Sequence, residues 1–129
     1  MPGWTPDEGE DYCAEQIYST QNLQLILFTN DPALFDETTV FGDLVEPSTG
    51  GYGRKTMTAG NWVLSNGGIA QYAKQRFDAG AGGFGNIYGY AIITIDATPR
   101  ILHIEIYSAG PVNIVEGQFF EVDPYTLAA

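Results

Sequence analysis

The clearest apolar run is Leu23-Gln24-Leu25-Ile26-Leu27-Phe28-Thr29, which Asn30-Asp31-Pro32 brings to a stop. Proline removes an amide donor and Asn and Asp favour turns, so the pattern predicts a strand over 23–29. Ahead of it, Asp7, Glu8, Glu10 and Asp11 precede Cys13, Ala14, Ile17 and Tyr18. An acidic first turn followed by apolar positions at helical spacing predicts one short helix, roughly residues 8–19. Residues 33–45 are expected to be loop with one short edge strand. Beyond the turn-rich stretch from Glu46 to Arg54, segments 55–58 and 61–65 are expected to pair as short strands. Asn66-Gly67 then predicts a two-residue type I′ hairpin that folds 62–65 onto 69–73, because both residues tolerate positive φ.

Gly80 to Gly85 reads as a flexible connection into Asn86–Ile95, whose nearly continuous apolar content predicts a central strand covered on both faces. From Ile101 to Tyr107 the residues alternate. This predicts Leu102, Ile104 and Ile106 on a buried face and His103, Glu105 and Tyr107 on a wet one. Segments 112–115 and 118–122 flank Glu116-Gly117 and predict a closing hairpin with Gly117 in the left-handed position of a bulge, then a short polar tail after Pro124. No repeat of fixed period is visible, which argues against solenoids and propellers. The expected fold is mainly β: a compact antiparallel β-sandwich or jelly-roll-like barrel with one short N-terminal helix. At 129 residues the chain suits a single domain. It divides into a helical arm at 1–20, a β core at 21–124 and a tail at 125–129.

Charge narrows the choice of partners. Sixteen Asp and Glu face five Lys and Arg, for a formal net charge of −11. Ten of those acids precede Arg54 with no base among them, whereas residues 54–129 carry six acids and five bases. Nucleic acid is therefore not expected as a partner. The acidic half is expected either to be a solvated face or to meet a basic patch or a cation. Met1 is followed by Pro2, Trp4, Asp7 and Glu8 in place of a basic start and an apolar stretch, so synthesis in a cytoplasm is expected. The apolar run from Ile87 to Ile95 is interrupted by Gly89 and Thr94 and falls far short of the ~20 residues that span a bilayer, so no membrane association is expected. Cys13, the single cysteine, leaves no partner for an intramolecular disulfide and is expected to be a small buried hydrophobe.

Residues that could carry chemistry do not converge. Gly80, Gly82 and Gly85 satisfy G-x-G-x-x-G, but a dinucleotide site needs a helix N-terminus after that loop and a β-type run follows here. Ser48 to Gly53 lacks the Gly-Lys-Ser/Thr ending of a phosphate-binding loop. His103, the only histidine, would have to recruit Ser19, Ser48, Ser65 or Ser108 as nucleophile, and none sits in a nucleophile-elbow context. With Glu105 on the same strand face, it reads as a surface pair. One His and one Cys far apart make a poor zinc site. Asp31, Asp36, Glu37 and Asp43 border a long loop and could gather Ca²⁺, although they lack the order of an EF-hand. A carboxylate pair suited to glycoside hydrolysis is easily met by chance among sixteen acids. Tyr52, Trp62, Tyr72, Tyr88, Tyr90 and Tyr107 suit a carbohydrate platform, a core or an interface. The expectation is a binding or structural module with no catalytic, cofactor-binding or metal-binding residue, and not an enzyme.

The order of several segments resembles a group of small structural proteins of tailed bacteriophages and cyanophages. The matching pieces are Leu25-Ile26-Leu27-Phe28-Thr29-Asn30, then Glu46-Pro47-Ser48-Thr49-Gly50-Gly51-Tyr52-Gly53-Arg54-Lys55-Thr56 leading to Trp62, then Ile87 to Thr94. The stretch from Glu105 to Pro124, with Pro111, Val115, Gly117 and Val122 spaced through it, is similar as well, so the likeness runs from about residue 10 to 124. It implies a β-sandwich or jelly-roll-like fold carried on the virion surface as a head decoration or cement protein that binds the major capsid protein. It also implies a homo-oligomer, with a trimer favoured. A tail-associated role that binds a receptor or glycan is the alternative, and a small hydrolase is a third. The resemblance carries over no catalytic residues and no cofactor.

Overall fold

The computed structural model describes residues 3, 4 and 6–127. Among these residues one α-helix, α1 (Asp7–Tyr18), precedes eleven strands. These are β1 (Leu23–Phe28), β2 (Lys55–Met57), β3 (Val63–Ser65), β4 (Ile69–Gln71), β5 (Gln75–Asp78), β6 (Gly85–Ile87), β7 (Gly89–Thr94), β8 (Ile101–Ile106), β9 (Val112–Ile114), β10 (Phe119–Val122) and β11 (Tyr125–Leu127). All the pairings are antiparallel. They make a four-stranded sheet in the order β2-β1-β7-β8, a three-stranded sheet β11-β4-β3, and the pairs β10-β5 and β6-β9. The mainly β class with one N-terminal helix is as predicted. The sheets stay open and stack around a shared interior, and among the described residues none closes into a jelly-roll-like barrel.

That interior draws on every sheet and on the helix. Leu23, Leu25, Leu27, Met57, Tyr90 and Ile92 come from the four-stranded sheet, Ala70 from the three-stranded one, Phe77 and Val122 from β5 and β10, and Ile87 and Ile114 from β6 and β9. Burying this much apolar surface is the main stabilising term, and the long β1 and β7 sit at its centre because their residues are apolar on both faces. The second face of β1 and β7 contributes Ile26, Ala91 and Ile93 to a smaller cluster. Helix α1 lies over β3 and β4 and buries Ala14 and Tyr18. The Tyr18 hydroxyl lies 2.6 Å from Thr126 Oγ1, a buried bond that ties the N-terminal helix to the last strand.

Several local expectations are corrected. Residues 33–45 contain no edge strand; they form single 3₁₀ turns at Pro32–Leu34 and Phe41–Asp43. Carboxylates take the free amides there: Ala33 N–H donates to Asp31 Oδ1 and Val40 N–H to Asp43 Oδ2. Segments 55–58 and 61–65 do not pair with each other. Pairing β2 with β1 sets Met57 opposite Leu23 inside the core, which leaves β3 for β4. The hairpin at Asn66 is real, but its loop has three residues and is not type I′. Ser65 faces Ile69, and Gly67 and Gly68 take φ of 85° and 75° while Asn66 does not turn left-handed. A second glycine supplies positive φ without a Cβ penalty, so the chain uses it in place of Asn66.

The predicted strand 86–95 divides at Tyr88, whose N–H donates to Phe28 O while its carbonyl accepts from Tyr107 N–H. Gly85–Ile87 pairs with β9, and only Gly89–Thr94 takes the central position. The Gly80–Gly85 connection is pinned, contrary to the flexible loop expected. Gly80 N–H donates to Gly50 O, Gly50 N–H to Ala81 O, and Thr49 Oγ1 to Gly83 O. Strands β9 and β10 do not form the closing hairpin, because each finds a partner earlier in the chain: β6 for one and β5 for the other. Gly117 still turns between them at φ 85°. The tail expected after Pro124 is strand β11 as far as Leu127, paired with β4; positions 128 and 129 lie outside the described residues. Cys13 is exposed, because Ala14 and Tyr18 occupy the inward side of α1.

The single buried face expected along β8 is split, with Leu102 against the main core and Ile104 against the smaller cluster. A bulge at Leu102 sets Ile92 opposite His103 and Ile93 opposite Ile101. One extra residue switches the face of every strand position beyond it. His103 and Glu105 therefore share the side of Tyr90 and Ile92, Tyr107 packs against the main core, and Ile106 of the predicted buried face is exposed.

Candidate interaction surface

The outer face of the four-stranded sheet carries the chain's least ordinary surface. Over Ile26, Ala91 and Ile93 lie Phe41 and Leu44 from the 30–45 loop, with Ile101 and Ile104 of β8 beside them. The loop is sewn to the end of β1: Asn30 Nδ2 donates to Asp43 O, Val45 N–H donates to Asn30 Oδ1, and Thr29 N–H donates to Val45 O. It helps bury Ile26, Ala91 and Ile93 completely but leaves apolar side chains outside the cluster in solvent. Val40, Val45, Ile95 and Ile106 remain exposed, Val40 at 59%. A groove of about 330 Å³ runs between Thr39–Phe41 and Thr98–Ile101. Beside it β8 forms the sheet edge, and among the described residues no strand pairs with its far side.

A polar network fixes this face from behind. Pairing of β1 with β2 ends at Leu25, and at Leu27 the backbone N–H donates instead to the Tyr52 hydroxyl, 3.1 Å away. That hydroxyl donates in turn to Glu46 Oε1 at 2.8 Å, and Arg54 grips Glu46 through Nε at 3.0 Å and a terminal nitrogen at 2.8 Å. The Arg54 guanidinium also lies 5.2 Å from the centre of the Phe41 ring. Burial first, then the hydrogen bond to and charge of Glu46, raise the Tyr52 hydroxyl well above the usual phenol range, while the Leu27 N–H opposes the shift. It stays a protonated donor. Tyr52→Phe should strand the Leu27 N–H, while Glu46 Oε1 keeps Arg54 Nε, and lower stability by about 1–3 kcal/mol. An unchanged urea midpoint would show that water replaces the hydroxyl at no cost.

The residues singled out in the sequence are placed elsewhere. His103 Nε2 lies 3.1 Å from Glu105 Oε2, so the two do pair, but with the histidine mostly covered and not on a wet face, and no serine joins them among the described residues. Asp36 Oδ1 accepts from the N–H and hydroxyl of Thr38, which hold its carboxyl below the usual range. With Asp31 and Asp43 turned to local amides, no group of three His, Cys, Asp or Glu among the described residues is arranged to hold a metal. The aromatics do not make an open platform. Trp62 sits 4.8 Å from Tyr18 and 5.1 Å from Tyr72, Tyr52 stacks on Phe77, and Tyr107 packs on Phe120. Tyr90 is buried, and burial with the nearby Glu105 charge pushes its hydroxyl up to about 12.

The exposed Val40, Val45 and Ile95 were not singled out from the sequence, since an apolar residue in a loop carries no mark of which way it faces. The only signal was an apolar residue within a polar turn. Comparison of the chain with protein families, with curated proteins and with solved structures finds no match in any of the three.

Proposed function

We propose that this chain is a structural binding module of a tailed-phage or cyanophage virion, a head decoration or cement protein that seats on the assembled shell of major capsid protein. The observation that carries the reading is the outer face of the four-stranded sheet. A groove lined by Val40, Phe41, Arg100 and Ile101 opens there, and Val45, Ile95, Ile106 and the acids Asp43 and Asp96 are exposed as well. Apolar patches with a polar rim suit contact with another protein. The resemblance of the Leu25–Asn30, Glu46–Thr56 and Glu105–Pro124 segments supports the virion as the place of that contact. An acid-rich first half belongs on the outside of a shell, where packaged DNA does not repel it.

On this reading the protein reinforces by mass action. A ligand that binds only the assembled shell stabilises it in proportion to the logarithm of its free concentration over Kd. Particles stripped of the chain should keep their shape but rupture at lower temperature, and the pure protein should restore resistance. Ile106→Glu, which alters an exposed side chain, should fold normally and fail to restore it. Stripped particles that are equally robust but no longer adsorb to cells would overturn the reinforcing role in favour of receptor binding.

A further inference from the structure

Strand β8 reads Ile101-Leu102-His103-Ile104-Glu105-Ile106 along the open edge of the four-stranded sheet. Edge strands are commonly blunted by lysine, proline or a bulge. Here lysine and proline are missing from the strand, and the bulge at Leu102 lies near its start. From His103 to Ile106 each residue faces one on β7 in regular register. A regular open edge is a row of unpaired backbone donors and acceptors into which another strand can lock.

The side chains say which strand fits. Two copies of β8 laid antiparallel about a two-fold axis at Ile104 set His103 opposite Glu105 of the second copy, Ile104 opposite Ile104, and Glu105 opposite His103. His103 Nε2 lies 3.1 Å from its own Glu105 Oε2, and a protonated ring has a second N–H to donate across the axis. Moving the axis to Glu105 sets two carboxylates face to face, and moving it to His103 sets two imidazoles together. Like groups directly opposite disfavour a strand pair, so of these three registers the one centred on Ile104 is favoured. We propose that β8 is a self-pairing edge through which two copies join their four-stranded sheets into one. Ile104 and the exposed Ile106 gain cover in the process. The same patch meets itself, so the assembly closes at two, in contrast to the trimer that the phage resemblance implies. This inference does not depend on the shell-binding role.

Light scattering of the full chain from micromolar to several hundred micromolar should show the mass rising from 14.0 kDa to twice that value. Glu105→Lys places an ammonium opposite His103 in both pairs and should weaken association roughly tenfold or more. Adding His103→Glu to that variant makes the pairs complementary again and should restore it. Equal thermal midpoints would confirm that the variants remain folded. In a Cys13→Ser background, Ile104→Cys should crosslink on oxidation, since residues opposite in an antiparallel pair have Cα atoms within disulfide reach. A monomer at every concentration, a trimer, or a dimer that ignores the charge exchange and fails to crosslink would overturn the proposal.

Discussion

Replacing Gly83 with alanine should cost on the order of 4 kcal/mol or more, enough to unfold a domain of ordinary stability at moderate temperature. The same change at its neighbour Gly82 should cost only about 1 kcal/mol. Both glycines take positive φ, 87° at Gly82 and 65° at Gly83, so the conformational part of the cost is shared. The surroundings differ. A Cβ on Gly82 would meet only the Thr49 side chain at 3.5 Å, an ordinary contact. A Cβ on Gly83 would lie 2.6 Å from Ile114 O and 2.9 Å from Val115 Cα. That backbone cannot withdraw cheaply, because Ile114 O accepts from Phe84 N–H at 2.8 Å. On the other side Gly50 presses on Gly83 closely enough that its own Cβ would lie 2.7 Å from Gly83 O. Three backbone segments are stacked without room for a methyl group. Urea midpoints of the two variants decide the matter: equal losses would mean that the stack is loose and only φ counts.

The contrast shows where the sequence was and was not legible. Strand β1 and helix α1 could be read because their signals are local: an apolar run closed by Asn30-Asp31-Pro32, and apolar positions at helical spacing behind an acidic turn. Choice of partner is not local. Strands β9 and β10 flank a good turn at Gly117 and read as a hairpin, yet each pairs with a strand some 25 to 45 residues earlier. In the same way the 80–85 glycines read as a mobile loop, since composition does not distinguish glycine kept for freedom from glycine kept for close approach. Tyr52 could be placed as an aromatic, but nothing in its neighbourhood shows that its hydroxyl completes the ladder where β2 ends. Of the candidate surface, the His103–Glu105 pair was visible from spacing two on a strand. The bulge at Leu102 was not, and it inverted the face assigned to Ile106.

Truncating Phe77 should produce the second large loss, and Phe119 on the paired strand supplies the comparison. Phe77 is 2% exposed, stacks on Tyr52 at a ring angle of 7°, and has Phe120 opposite it on β10. Phe77→Ala would open a cavity among rings that are themselves fixed, Tyr52 by its two hydrogen bonds, so the site cannot collapse to fill it. The expected cost is about 3–5 kcal/mol. For a domain of this size that is a fall in Tm of roughly 10–20 °C. Phe119 is the next residue along β10 and is 50% exposed, with Arg76 stacked 3.9 Å from its ring centre. Removing that ring surrenders a solvent-exposed cation–π contact worth about 0.5–1 kcal/mol and leaves no cavity. Two phenylalanines on one strand pair should thus differ severalfold in stability for the same truncation. Thermal denaturation of both variants followed by circular dichroism measures the difference. If Phe77→Ala melts within a few degrees of Phe119→Ala, the interior shared by the four sheets is not the single core on which this fold depends.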